Sequence, residues 1–126
     1  MKRREPPVVS AKEVFAVSRH VRWVGLVSGG GKVILTKMRA GLKSASPQGF
    51  DEEFLALGPL TLLGVAEKYC PHLEQLEAIV ACYGLMTHVH ARLASQVIVI
   101  SIENREDALL DVRDWLKKKK ALLRGW

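Results

Sequence analysis

Leu76-Glu77-Ala78-Ile79-Val80-Ala81-Cys82-Tyr83-Gly84-Leu85-Met86-Thr87-His88-Val89-His90-Ala91-Arg92-Leu93-Ala94-Ser95-Gln96-Val97-Ile98-Val99-Ile100-Ser101-Ile102 contains no proline, and its two β-branched runs meet at a small polar joint, Ala94-Ser95-Gln96. Valine and isoleucine lose little side-chain freedom on a pleated strand and pack well across strands, so this pattern predicts an antiparallel hairpin. The second run, from Val97 to Ile102, is almost wholly apolar and does not alternate. A strand of that kind needs cover on both faces and belongs in the middle of a sheet.

Working outward toward the N-terminus, Val21–Val27 and Val33–Met38 form a second pair of strands around Ser28-Gly29-Gly30-Gly31-Lys32. Glycines reach positive φ without a Cβ clash, which suits a hairpin turn. A phosphate-binding loop needs Gly, four residues, then Gly-Lys-Ser/Thr; here Leu26 stands at the first glycine and Val33 at the hydroxyl. Before this pair, Ser10 and Glu13 have capping-box spacing, and a short helix from Ala11 to about His20 would turn Val14, Phe15 and Val17 inward. Ser44, Ser46, Pro47 and Gly49 mark a loop, and Asp51, Glu52 and Glu53 suit a helix's first turn. That helix should run to about Cys70 and be bent or divided at Gly58-Pro59. From Leu60 to Ala66 every residue is apolar, threonine or glycine. A helix this apolar needs more cover than one small sheet gives, which points to a subunit contact through Leu60, Leu62, Leu63 and Val65. After the hairpin, Asn104 offers an N-cap to a last helix with an apolar stripe of Leu109, Val112, Trp115 and Leu116.

The elements then run helix, two strands, helix, two strands, helix, with a further strand if Leu76–Leu93 bends at Gly84. The fold class is α+β, an antiparallel sheet with helices packed on it. The expected organisation is a flexible basic arm over 1–9, one domain over 10–116, and a basic helix end or tail over 117–126. Val21-Arg22-Trp23-Val24-Gly25, Gly31-Lys32, Met38-Arg39-Ala40-Gly41 and Ala78–Glu103 carry a resemblance to the roadblock/LC7 and longin-like group of small domains. The chain resembles more closely a set of small uncharacterised archaeal proteins expected to share that architecture. The resemblance implies a dimerising scaffold without catalysis, of the sort that supports small GTPases or larger complexes.

Composition narrows the alternatives. With 48% hydrophobic and 25% charged residues the chain is expected to fold as a globular domain. Its net charge of +6 sits at its ends. Between Pro6 and Leu116, eleven Lys and Arg face twelve Asp and Glu, so nonspecific nucleic-acid binding would have to use the tails. The apolar run Phe54–Ala66 is too short to span a bilayer, and no apolar segment follows Lys2-Arg3-Arg4, so the expectation is a cytoplasmic protein. Cys70 and Cys82 read as buried free thiols.

The candidate chemistry is sparse. His88 and His90 share a strand face and are metal-ligand candidates with Cys82, although such sites take three or four ligands. Arg22, Arg39 and Arg92, each near a strand end or turn, are candidates for contact with an anion. No spacing suggests a hydrolase or a nucleophile with its base, so no enzyme activity and no cofactor are expected. A small-molecule sensor of profilin or PAS type is the alternative to a scaffold.

Overall fold

The computed structural model describes residues 5–42, 54–55 and 58–124. Met1–Arg4, residues 43–50 with the expected loop, and Asp51, Glu52 and Glu53 lie outside the described residues. The elements are α1 (Ala11–Phe15), β1 (Val21–Ser28), β2 (Val33–Met38), α2 (Pro59–Tyr69), a 3-10 turn (Pro71–Leu73), β3 (Ile79–Cys82), β4 (Thr87–Leu93), β5 (Gln96–Ile102) and α3 (Glu106–Leu123). The five strands form one antiparallel sheet in the order β2-β1-β5-β4-β3. No helix among the described residues is long and apolar enough to cross a membrane.

β5 is the middle strand, and its alternate side chains feed different cores. Ile98, Ile100 and Ile102 join Val24, Leu26, Val89, Ala91 and Leu93 in the larger core, closed by Val14 of α1 and by Ala108, Val112 and Leu116 of α3. On the opposite face, Val97 packs with Val27 and Leu63, and Val99 packs with Trp23 and Leu55. The unbroken apolar run of β5 thus reflects two helical layers, one on each face of the sheet. The long β-branched segment before it does divide: β3 and β4 are separate strands joined across Tyr83–Met86, where the Tyr83 amide donates to the Met86 carbonyl at 2.8 Å.

The second face is tightly filled around Gly25. A Cβ there would lie 2.4 Å from the Trp23 ring and 2.7 Å from a Leu55 methyl. Gly25→Ala is therefore expected to destabilise by about 1–2 kcal/mol, read by urea unfolding, as buried rings shift to admit one methyl group.

Several expectations are corrected. α1 ends at Phe15 and not near His20, because the Arg39 guanidinium takes the Phe15 and Ser18 carbonyls, each at 2.8 Å, that a longer helix would have kept for its own ladder. The Ser10 hydroxyl accepts from the Glu13 amide at 3.0 Å, but the Glu13 carboxylate turns to Lys119 at 2.9 Å, so only half of the capping box forms. Glu5–Val9 are docked and not a free arm: the Val8 amide donates to Gln96 Oε1, Gln96 Nε2 donates to the Pro6 carbonyl, and Val9 is buried. The lysines, by contrast, lie where the basic helix end was expected: α3 runs through Lys117–Lys120 to Leu123. Both cysteines are free but exposed; Cys82 stands on the edge strand and Cys70 at the end of α2, where little chain lies outside them.

Candidate functional site

α2 is clamped to the sheet through one side only. Pro59 is its first residue, as its fixed φ and missing N–H favour, with Gly58 before it. Leu63 points down and is 1% exposed against Val27 and Val97, while Leu60 is half-buried beside it. Glu67 reaches β4, where the Arg92 guanidinium donates to both of its oxygens at 2.8 and 3.0 Å. That forked bond holds the Glu67 carboxyl below the usual carboxylate range. The opposite side of α2 presents Leu62 at 43% exposure, Val65 at 52% and Tyr69, spaced three and four residues apart and so in one stripe. Of the four residues expected at a subunit contact, Leu63 belongs instead to the chain's own core. Leu62 and Val65 remain open.

Other apolar side chains are exposed outside the helix. Leu73 in the 3-10 turn and Tyr83 and Leu85 in the β3–β4 turn are exposed large side chains. The turn that carries the last two is fixed by Asn104. Its amide donates to the Tyr83 and Gly84 carbonyls at 2.9 and 3.3 Å, while its Oδ1 accepts from the Thr87 hydroxyl at 2.7 Å. Asn104 therefore does not cap α3. Arg105 occupies that position, and no side chain there bonds the helix amides. β3 is the outer strand of the sheet, short and half-exposed, with Val80 open to solvent. A strand with one unpaired edge is a template for a further strand.

The metal candidates separate across the sheet. Cys82 pairs with Thr87, whereas His88 pairs with Ala81 and His90 with Ile79. Cross-strand partners share a face, so Cys82 lies on the opposite face from both histidines, because the turn breaks the strand that sequence spacing treated as continuous. Among the described residues no cluster of three His, Cys, Asp or Glu could hold a metal ion. The two rings pack instead in an aromatic group: Phe54 lies 5.9 Å from each, and Tyr83 lies 5.1 Å from His88. His90 is 2% exposed, with neither ring nitrogen hydrogen-bonded among the described residues. Burial, and then the nearby His88 charge, push its pKa down to about 4.

The three arginines do not converge on an anion either. Arg22 lies 3.8 Å from Glu103, Arg92 is held by Glu67, and Arg39 spends its guanidinium on the Val21, Phe15 and Ser18 carbonyls, stacked over the Phe15 ring. In the glycine turn the amides close on themselves: Gly31 donates to the Ser28 carbonyl at 3.0 Å, and Lys32 donates to the Ser28 hydroxyl at 3.1 Å.

No protein-family model and no curated protein matches the chain. Solved structures do. The gliding protein MglB from Thermus thermophilus superposes with a TM-score of 0.63 at 11% identity, covering 91% of this chain and 86% of that one. MglB from Myxococcus xanthus gives 0.62 at 13% identity, covering 94% and 100%. A roadblock/LC7 domain from Streptomyces avermitilis gives 0.56 at 14% identity, covering 84% and 82%. The fold is roadblock/LC7-like. Within this roadblock-like sheet, the exposed stripe of α2 and the open edges of the outer strands β3 and β2 are unsatisfied features among the described residues. One is apolar surface, the other backbone hydrogen-bonding capacity.

Proposed function

We propose that the chain is a non-enzymatic interaction module that pairs with a second copy of itself through α2 and the β3 edge, and that the pair acts in the cytoplasm as a scaffold for a protein partner. The observation that carries this reading is the α2 stripe of Leu62, Val65 and Tyr69, left uncovered by its own sheet, whereas α1 buries Val14 and α3 buries Ala108, Val112 and Leu116. A self-complementary patch needs only a two-fold axis to bury itself, so a homodimer is the simplest closure. The fold shared with MglB and roadblock/LC7 structures supports a regulatory role, with a small GTPase as the class of partner that the roadblock resemblance suggests.

The test separates association from folding. Leu62→Asp and Val65→Asp are expected to weaken self-association by about tenfold or more, because each would bury an unpaired charge. Sedimentation velocity over a concentration series reads that shift. Both side chains are exposed in the single chain, so the thermal stability of the dissociated monomer should stay close to that of the wild type. Leu63→Ala should do the reverse, losing about 2 kcal/mol of folding stability through a core cavity with little change in association. A wild-type chain that sediments as a monomer at high concentration ends the proposal.

A further inference from the structure

Opposite the apolar stripe, the segment leading into β3 and the second half of α3 enclose a cleft of about 360 Å³. Arg113, Lys117, Lys120 and Arg124 line it from α3, at helical spacings of four, three and four, so four cations form one stripe. Leu76, Ala78 and Leu116 supply apolar walls. A smaller cleft of about 150 Å³ adjoins it, and the two share Lys120 and Arg124.

Glu74 and Glu77 also line the cleft, and Glu67 lines its smaller neighbour, so the four cations outnumber the carboxylates without being fully neutralised. Among the described residues Glu77 is the one carboxylate in ion-pair contact with the stripe, and it lies 3.6 Å from Arg113 and 3.7 Å from Lys117, beyond ordinary hydrogen-bond length. The other two cations meet neutral oxygens: Lys120 donates to the Glu77 carbonyl and Arg124 to Gln75 Oε1 at 2.5 Å. Burial pulls the Lys120 pKa down; the Glu77 charge opposes this, the Arg124 charge adds to it, and Glu67 opposes it more weakly. A half-buried ammonium beside a guanidinium, both bonded to uncharged acceptors, is a pair that an incoming anion would relieve.

We infer that this cleft binds a small oxyanion carrying two or more negative charges, phosphate or carboxylate, held between Lys120 and Arg124 with its uncharged part against Leu76 and Leu116. The ammonium supplies a point charge and the guanidinium a planar fork, a combination suited to anions with several oxygens. The bound anion would compete with Glu77, which is the gate of the site in electrostatic terms.

Titration with inorganic pyrophosphate and, separately, with citrate, at constant ionic strength and followed by calorimetry and by amide shifts in NMR, tests the inference. The expected result is saturable one-to-one binding, with the largest shifts in residues 74–78 and 113–124. The tighter of the two anions identifies the phosphate or the carboxylate source. Lys120→Gln with Arg124→Gln should weaken binding about tenfold or more. Glu77→Gln should strengthen it a few-fold by removing the competing carboxylate, a gain that a damaged fold could not imitate. Lys12→Gln, an exposed lysine on α1, should leave it unchanged. No saturable binding of either anion, undiminished binding in the double variant, or an equal loss in Lys12→Gln would overturn the assignment.

Discussion

Arg39→Ala is expected to lower folding stability by about 4 kcal/mol, a large effect for a side chain on the end of a strand. Nε donates to the Val21 carbonyl at 2.6 Å, and one terminal nitrogen donates to the Phe15 and Ser18 carbonyls at 2.8 Å each. The guanidinium also lies 5.0 Å from the centre of the Phe15 ring. Charged hydrogen bonds contribute roughly 1.5–3 kcal/mol apiece, and three sharing one group fall short of additivity, which sets the figure. Removing the side chain takes a charged donor from three carbonyls where α1 stops and β1 begins, of which Ser18 keeps the Val21 amide at 3.2 Å. Arg39→Lys should recover less than half of the loss, since a single ammonium cannot reproduce the fork or the ring contact. Urea unfolding with an unchanged m-value checks both variants; a loss under about 1 kcal/mol in Arg39→Ala would mean that water replaces the guanidinium at little cost.

The contrast between Arg39 and β5 explains how much of this chain could be read in advance. The sheet was legible because its evidence is local: six consecutive residues from Val97 to Ile102 declare two buried faces, and the glycines of the Ser28–Lys32 turn declare a hairpin. Helix α2 was legible for the same reason, down to Pro59 as its first residue. The roles of Arg39 and Asn104 were not, because their partners lie about twenty residues away in sequence and become neighbours only once the sheet exists. The metal candidates failed for a related reason. Alternation along a strand assigns faces only while the strand continues, and the turn at Tyr83–Met86 set Cys82 across the sheet from His88 and His90.

In α2 the structure divides what the sequence presents as one apolar run. Leu60 to Ala66 carries more apolar surface than the sheet covers, yet Leu63 takes the sheet-facing position, and the surplus falls to Leu62, Val65 and Tyr69. Composition cannot divide a helix that is apolar on most sides, because it lacks the polar face that would fix its rotation. The basic residues near the C-terminus show the same limit in charge. Read linearly, Lys117–Lys120 are a run; wound into α3, Lys119 pairs with Glu13 while Lys117 and Lys120 face the segment before β3.

Folding stability should also fall steeply under mild acid, and His90 accounts for the expected size. Its folded pKa of about 4 lies below the 6.5 of an unconstrained histidine, because the ring is buried beside Phe54 and His88. Between those values the unfolded chain binds a proton that the folded chain refuses, so stability rises with pH across this window. The contribution is fully present above pH 6.5 and is lost as pH falls toward 4. One pKa unit corresponds to about 1.36 kcal/mol, which caps the whole effect at about 3–4 kcal/mol. The carboxyls of Glu67 and Glu103 are held below the usual range, so their own losses come at lower pH and separate from this one. His90→Phe should keep the ring packing, remove two buried nitrogens that lack partners among the described residues, and leave neutral-pH stability equal or higher. Urea midpoints measured from about pH 7.5 to 4.5 should therefore diverge, with the wild type falling and the variant nearly level. Parallel curves would show that His90 accepts its proton in the folded chain without penalty, and that the aromatic group around it is open to water.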